Sequence, residues 1–253
     1  MSKEKELVVR EEEVKDLSIF AVEEGHEEHL SQDEMEMPFL RLGQKMTKAE
    51  IDGLKPGMFF QTVSETVLGE TIKIQIHGYF HNYTSWMGPK GNGEFRGSMS
   101  TTEFKEFAKT ANPPLVQEGG DMIHTVDNED LRYTDTHNFI VSLPEYPEEG
   151  VMIYPLSSTG CKVAKKINTL HRGRSVNGKP TKRYATIWEL ATGSFESHGF
   201  SYKQVKTIKA LGWATPELYK FGKSFEDFTE AVKAQGVKYE DEKSTHEAEE
   251  SDF

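Results

Sequence analysis

Residues 71–86 read TIKIQIHGYFHNYTSW, a long run of β-favouring residues. In its first half the apolar Ile72, Ile74 and Ile76 alternate with polar residues, and a period of two is typical of a half-buried strand. Gly78 interrupts the alternation, as a β-bulge or a sharp bend at the corner of a barrel requires. A long strand that bends can change partners along its length. The run therefore predicts a small, closed β-structure.

The segments around this run predict the rest of the architecture. Further strands are expected in residues 38–42, 58–62, 137–143, 152–155 and 184–192. Helices are expected in residues 158–170, 201–211 and 216–235. Proline stands near the start of the last helix and glycine follows its end, which is the usual asymmetry of helix termini. Clustered strands with helices inserted between and after them indicate a mainly β, α+β fold, a β-barrel decorated by helices.

Charge is distributed unevenly along the 253 residues, which carry a formal net charge of −12. Residues 1–37 hold 4 Lys/Arg and 13 Asp/Glu, and residues 239–253 hold 1 and 7. Subtraction leaves 25 Lys/Arg and 22 Asp/Glu for residues 38–238, so the middle of the chain is slightly basic. We therefore predict an acidic, flexible N-terminal extension (1–37), a folded domain (38–238) and an acidic, disordered C-terminal tail (239–253).

Composition argues against several classes of protein. Cys161 is the single cysteine, so the chain can form neither an internal disulfide framework nor a multi-cysteine zinc site. No apolar run approaches the roughly 20 residues of a membrane span. The first residues, MSKEKELVVREEE, are too charged for a signal peptide. We expect a cytoplasmic protein that has no membrane partner.

The most specific local feature is a run of 31 residues, 158–188, that contains no Asp or Glu. We call it the basic segment. Its eight cations are Lys162, Lys165, Lys166, Arg172, Arg174, Lys179, Lys182 and Arg183. Clusters of Lys and Arg bind phosphate backbones and release condensed counterions, whereas the alternative is a solvated basic face that balances acidic neighbours. Residues 172–179 resemble a flexible basic hairpin loop, shaped to lie along a nucleic-acid strand.

Aromatic residues supply the second component of the predicted interface. In a predicted hairpin, the aromatic residues Tyr79, Phe80, Tyr83, Trp86 and Phe95 are interleaved with the cations Lys73, Lys90 and Arg96. Two further rings, Tyr184 and Trp188, follow the basic loop. Such rings offer stacking platforms to unstacked bases, which favours single strands over duplexes. Core packing is the alternative for each ring. The irregularity at Gly78 leaves open which of Tyr79 and Phe80 faces outward.

The C-terminal tail ends in an acidic tip with a terminal aromatic residue. Its last residues include Glu249, Glu250, Asp252 and Phe253. The ring can enter a pocket of a partner protein while the carboxylates meet basic residues around that pocket. The same tail can lie over the basic groove of its own domain and compete with nucleic acid. A solubilising tail is the alternative interpretation.

Together these features resemble the phage-encoded OB-fold single-stranded DNA-binding proteins. The shared residues are PFLRLGQ at 38–44, the turn KPGMF at 55–59, the aromatic hairpin and the acidic tail ending in Asp-Phe. The resemblance implies an OB-like five-stranded barrel over residues 38–238 that binds single strands through basic and aromatic residues. It also implies that the tail recruits replication and repair proteins. The acidic extension departs from the bacterial pattern.

No catalytic constellation emerges from the sequence. The run Glu103-Phe104-Lys105 imitates half of a metal-dependent nuclease motif, with Asp121 or Asp127 as a second carboxylate, but the surrounding segment predicts a helix. His77 and His81 are separated by the predicted bend, so we do not expect them to form a zinc pair. We therefore expect no enzymatic activity, no cofactor and no bound metal.

The function expected from these patterns is sequence-independent binding of single-stranded DNA, which protects the DNA during phage replication and recombination. RNA stays open as a partner because no residue reports on a 2′-hydroxyl group. Two alternatives remain. A strand-annealing or recombination mediator shares the basic and aromatic surface, and a virion structural protein shares the β-rich core.

Overall fold

The structure is a computed structural model that describes residues 37–45, 51–88, 94–126, 129–197 and 200–235. The chain divides into two units, Met1–Glu36 and Met37–Phe253, and every described residue belongs to the second. Strands dominate this part of the chain, so the prediction of a mainly β fold with a few helices is confirmed. The predicted division into extension, domain and tail stays a prediction.

Strands account for most of the described residues. They are β1 (Leu40–Leu42), β2 (Phe59–Gln61), β3 (Val67–Gly69), β4 (Thr71–Met87), β5 (Glu94–Ser100), β6 (Val116–Glu118), β7 (Asp121–Val126), β8 (Glu129–Ser142), β9 (Val151–Ser157), β10 (Ser175–Val176), β11 (Lys179–Pro180), β12 (Thr186–Ser197) and β13 (Phe200–Trp213). The helices are α1 (Thr101–Thr110), α2 (Gly160–Arg172), α3 (Pro216–Ser224) and α4 (Glu226–Gln235). Short 3₁₀ turns cover Pro147–Glu149 and Arg183–Ala185.

Eight strands form one antiparallel sheet that curls into a half-barrel. Its order is β13-β12-β4-β8-β7-β6, with β5 added to β4 and β9 added to β8. The strands β1, β2 and β3 form a separate small sheet. The OB-like five-stranded barrel implied by the resemblance is therefore not confirmed, because the described strands form a larger sheet.

The predicted bend of β4 is confirmed. The register between β4 and β8 shifts between Ile76 and Gly78, as a bulge requires. Before the bend β4 pairs with β12, and after it β4 pairs with β5. Gly78 is required at this point because an added Cβ would lie 2.2 Å from Cγ2 of Thr229 in α4. The missing side chain therefore lets α4 pack directly against the bend.

Two clusters of apolar side chains form the core. The larger cluster includes Ile72, Ile74 and Ile76 of β4, and it receives the apolar side of α2 through Val163 and Ile167. A smaller cluster gathers Phe39, Ile140, Ile153 and Val232, and partly buried aromatic residues pack against it. The two clusters hold α2 and α4 on the sheet, because each helix buries an apolar stripe in one of them.

The helix predictions are partly correct. The helix predicted at residues 158–170 is confirmed as α2, and the one at 216–235 is two helices that meet at Phe225. The helix predicted at residues 201–211 is wrong, because this segment is β13. Val205 and Ile208 both face the core and are three residues apart, a spacing that is typical of a helix. In the strand this spacing comes from a bulge: Ala191 of β12 pairs with Thr207 and Thr192 pairs with Val205, so one residue of β13 is left unpaired.

The longest helix in the described ranges is α2, with 13 residues. Among the helices that the structure describes, none combines the length and apolar character needed to cross a bilayer.

Candidate nucleic-acid interface

The basic segment folds as α2, the hairpin β10–β11, a 3₁₀ turn and the start of β12. In α2, the side chains of Val163, Ala164 and Ile167 point into the core. The side chains of Lys162, Lys165 and Lys166 are exposed on the other side of the helix. Since the helix is fixed by its apolar stripe, its lysines are held at the surface of the domain in a defined row.

The predicted hairpin loop in the basic segment is confirmed. Ser175 pairs with Pro180 and Val176 pairs with Lys179. Between these pairs, Asn177 has φ 51° and Gly178 has φ 74°. Two successive left-handed residues form the tight hairpin turn that Asn-Gly favours. The hairpin is therefore encoded locally.

The cations of the basic segment largely lack acidic partners. Among the described residues, Lys182 is the one member that forms an ion pair, with its Nζ 2.7 Å from Oε1 of Glu226. No carboxylate oxygen of the described ranges lies within the 4.0 Å ion-pair distance of the other seven. A basic face that merely balanced neighbouring carboxylates would have such partners. The surplus of positive charge is therefore available to an anionic ligand.

Next to the hairpin, the Arg174 guanidinium lies over an exposed tryptophan. The guanidinium carbon is 4.1 Å from the ring centroid of Trp213, and 51 % of Trp213 is exposed to solvent. Trp213 is the last residue of β13, opposite Thr186. Trp213 was not among the residues predicted from the sequence, because the segment before it was predicted to be a helix. An exposed ring with a cation beside it is the kind of platform on which an unstacked base binds.

A second part of the surface is a cleft of about 510 Å³. Its lining includes Tyr79, His171, Lys182, Arg183 and Glu226. The Arg183 guanidinium carbon lies 5.0 Å from the centroid of the Tyr79 ring. Nη1 of Arg183 is buried and has no hydrogen-bond partner among the described residues. The cleft therefore holds a guanidinium with an unused donor beside an aromatic face.

Burial shapes the protonation of the groups in this cleft. The pKa of Arg183 is lowered, chiefly because its guanidinium is desolvated. The pKa of His171 falls to about 4, first because of burial and then because of the positive charges of Arg183 and Arg174. His171 is therefore neutral at pH 7. Of the cations that line the cleft, Lys182 and Lys233 form ion pairs with Glu226 and Glu230, so Arg183 is the cation there without an acidic partner among the described residues.

The bend at Gly78 divides the predicted aromatic residues between the two faces of the sheet. Tyr79 packs beside the larger core cluster, and the ring of Tyr83 stacks on Phe104 of α1 at 3.7 Å between centroids. In contrast, Phe80, Trp86 and Phe95 pack against the smaller cluster. Of the two neighbours whose orientation the sequence left open, Tyr79 is the one on the face that carries the basic helix.

Two further predicted aromatic residues lie in the interior. Trp188 is 1 % exposed and Tyr184 is 3 % exposed. The hydroxyl of Tyr184 donates a hydrogen bond to Oε1 of Glu226 at 2.9 Å. The prediction that Tyr184 and Trp188 offer stacking surfaces is thus corrected, because the 3₁₀ turn buries Tyr184 and β12 buries Trp188.

The remaining predicted residues lie apart from the basic segment or outside the described ranges. Lys73 forms an ion pair with Glu145, and Arg96 forms one with Glu94. Each of these two cations is therefore offset by a neighbouring carboxylate. The residues outside the described ranges are Lys90, Glu249, Glu250, Asp252 and Phe253.

The carboxylates that imitated a nuclease motif have structural roles. Glu103 lies in the first turn of α1 and completes a capping box, in which its side chain accepts a hydrogen bond from the backbone N–H of Ser100. That bond holds the pKa of Glu103 below its ordinary value. Asp121 is buried and accepts a hydrogen bond from the hydroxyl of Thr134 at 3.0 Å. Asp127 lies outside the described ranges.

One group of metal-ligating side chains does form in the structure, from His81, Asp135 and His137. Nε2 of His81 is 2.5 Å from Oδ1 of Asp135, and Nε2 of His137 is 3.8 Å from the same oxygen. The two imidazole rings are stacked, with centroids 4.2 Å apart. Of these three residues only His81 was considered as a metal ligand from the sequence, with His77 as its partner, and that pair was not expected to form.

The fold and this surface define a mainly β protein whose acid-poor basic segment adjoins an exposed tryptophan. A family model described as Pam3 phage gp34-like protein matches residues 10–238. The chain therefore belongs to the Pam3 phage gp34-like family, and this membership indicates a phage protein, as the resemblance implied. No curated protein and no solved structure matches the chain.

Proposed function

We propose that this protein binds single-stranded DNA without sequence preference during phage DNA replication or recombination. The observation that carries the proposal is the contact of Arg174 with the half-exposed ring of Trp213, together with six further cations of the basic segment that have no acidic partner among the described residues. Cations attract a phosphate backbone of any sequence. An exposed ring accepts any base, because every base has a π-face.

The path proposed for the strand runs along the basic segment. The backbone contacts the exposed lysines of α2 and the hairpin, and a base stacks on Trp213. Tyr79 and Arg183 in the cleft provide a second contact for a phosphate and a ring. In this proposal the curled sheet is the scaffold, as the OB-like barrel is in the family that the sequence resembles. The cations that contact the DNA lie on a helix and a hairpin attached to the sheet.

The acidic tail is proposed to recruit replication and recombination proteins through Phe253 and its neighbouring carboxylates. The seven acidic residues in 239–253 are also opposite in charge to the basic segment, so the tail is attracted to it. We therefore propose that the tail competes with DNA for this surface when no partner protein holds it.

The test is a fluorescence-anisotropy titration of the full chain with labelled oligo-dT and with a duplex of the same length, at two salt concentrations. The proposal expects tight, salt-sensitive binding of oligo-dT and at least tenfold weaker binding of the duplex. Removal of residues 239–253 is expected to leave the affinity unchanged or to increase it. Absence of binding to oligo-dT would overturn the proposal and favour a virion structural protein.

A second assay separates simple binding from strand annealing. A strand-annealing mediator pairs complementary oligonucleotides faster than they pair alone, whereas a protective binding protein does not accelerate pairing. Mixing two complementary labelled strands with the protein and following energy transfer between the labels measures this difference. Accelerated pairing would replace the proposed function with the annealing alternative.

A further inference from the structure

A group of side chains next to the sheet has the composition of a metal site. On β4, His81 lies directly opposite His137 of β8. Asp135 precedes His137 by two residues, and residues two apart in a strand project from the same face. The register of two paired strands therefore brings the three side chains together, and their ligand atoms all lie within 4.8 Å of one another.

The second imidazole of this group has a free nitrogen in a buried place. The side chain of His137 is 5 % exposed, and its Nε2 has no hydrogen-bond partner among the described residues. Nδ1 of the same ring is 2.7 Å from the hydroxyl oxygen of Tyr79. If Nδ1–H donates to this hydroxyl, Nε2 carries a lone pair toward Asp135. A buried acceptor without a donor is satisfied by a water or by a Lewis acid, and the carboxylate and the second imidazole beside it favour a metal ion.

An ordinary ion pair explains only part of this arrangement. It accounts for Nε2 of His81 beside Oδ1 of Asp135. It does not account for the second imidazole, whose ring is stacked at 4.2 Å on the first and whose buried Nε2 has no hydrogen-bond partner among the described residues.

We propose that His81, Asp135 and His137 bind a divalent transition-metal ion, with Zn²⁺ as the best match. Two imidazole nitrogens and one carboxylate oxygen suit Zn²⁺ and its neighbours in the first transition row, whereas Mg²⁺ and Ca²⁺ prefer oxygen ligands throughout. Three protein ligands leave a fourth position of a tetrahedral ion for water or an external ligand.

The geometry needs only small side-chain rotations to accept the ion. Ligand atoms at about 2.0 Å from a tetrahedral Zn²⁺ are about 3.3 Å from one another. The distances of 2.5 Å and 3.8 Å from Oδ1 of Asp135 lie on either side of this value. Tyr79 holds the ring of His137 in place through Nδ1, as partners of ligating histidines usually do.

The test is a calorimetric titration of the full chain with ZnCl₂ at pH 7.5, after chelator treatment and without DNA. The expected result is one high-affinity equivalent and a rise in melting temperature with excess free Zn²⁺. H81Q and D135N are each expected to weaken this binding by more than about tenfold. His81 and Asp135 are about one-third exposed, so both variants are expected to fold, which circular dichroism checks.

A matched control separates this site from weak binding by other histidines and by the acidic ends. H171Q removes a histidine of the cleft that is not part of the group, and it is expected to bind Zn²⁺ as the unmodified chain does. Y79F removes the hydroxyl that orients His137, and it is expected to weaken binding about 10- to 100-fold. The proposal is overturned if the unmodified chain takes up no Zn²⁺, or if H81Q and D135N bind it unchanged.

Discussion

The Arg174 guanidinium lies 4.1 Å from the ring centroid of Trp213, although the two residues are 39 positions apart in the chain. Arg174 stands between α2 and the hairpin, and Trp213 ends the edge strand β13. Packing of α2 against β13 and pairing of β13 with β12 bring these segments together. The contact places a ring at the end of a row of cations.

Trp213 is expected to carry a large share of single-strand affinity. Replacing it with alanine removes a stacking platform worth roughly 1 to 3 kcal/mol, which corresponds to about a 5- to 150-fold weaker affinity for oligo-dT. W213F keeps a smaller ring and should lose less. Anisotropy titration measures both variants. Equal affinities of W213A and the unmodified chain would remove Trp213 from the interface.

Intrinsic fluorescence provides an independent check on the same residue. Trp188 is buried and Trp86 is partly buried, so Trp213 is the tryptophan with the largest exposed share among the three. Stacking of bases on Trp213 is expected to quench the emission of the unmodified chain. In W213F this quenching should be much smaller, and persistent quenching of equal size would indicate another platform.

Arg172 and Arg174 are expected to set the salt dependence of binding. Reversing both charges should weaken binding of oligo-dT and reduce the slope of log K against log salt by about 1.4, since each phosphate contact with a single strand contributes about 0.7. The matched control is K105E/K109E, which reverses two exposed charges on α1. Identical slopes for the two double variants would mean that net charge, and not the hairpin, governs binding.

His77 is expected to make stability depend on pH. Burial lowers its pKa from 6.5 to about 4 in the folded protein. Between these values the unfolded chain binds the proton more readily, so the free energy of unfolding is highest above pH 6.5 and falls as the pH falls toward 4. The contribution lost between pH 7.5 and pH 5.0 is about 2 kcal/mol.

The measurement for His77 is urea unfolding at these two pH values, compared with H77Q. The variant has no titrating group at this position, so its pH dependence should be smaller by about the stated amount. The pKa values of Asp135 and Glu226 are lowered from their ordinary values, so these carboxylates titrate below this pH window. A variant with the same pH dependence as the unmodified chain contradicts the assignment.

Gly78 is expected to be sensitive to the smallest side chain. In G78A the new Cβ would lie 2.2 Å from Cγ2 of Thr229, so α4 must shift at a cost of about 1 to 3 kcal/mol of unfolding free energy. G212A is the control, because a Cβ at Gly212 meets nothing within 4 Å. In G78A/T229A part of the cost should be recovered. Strictly additive costs would show that the contact with Thr229 is not the cause.

Local sequence patterns predicted those elements that neighbouring residues define. The alternation of Ile72, Ile74 and Ile76 indicated a strand, Gly78 indicated its bend, and the Asn-Gly pair is the local signal of the turn in the basic hairpin. The absence of acidic residues from 158–188 indicated a surface with surplus positive charge, because Lys and Arg side chains are rarely buried and no carboxylate of the same segment offsets them.

Long-range pairing decided the features that the sequence did not reveal. The bulge in β12 and β13 made the apolar spacing of a strand resemble that of a helix, and so Trp213 was overlooked. Whether Tyr79 or Phe80 shared a face with α2 depended on the same kind of irregularity at Gly78. A single extra residue reverses the facing of every side chain beyond it, and periodicity cannot locate such a residue reliably.

The sequence by itself determined a mainly β chain with a bent central strand, a basic helix with its hairpin, and the uneven distribution of charge. Tertiary structure alone decided that Arg174 meets Trp213, that Trp188 lies in the core, and that His81 meets Asp135 and His137. The physical reason is that periodicity and turn residues act over a few neighbours. Contacts between distant residues follow from strand register, which is set by the packing of the whole sheet.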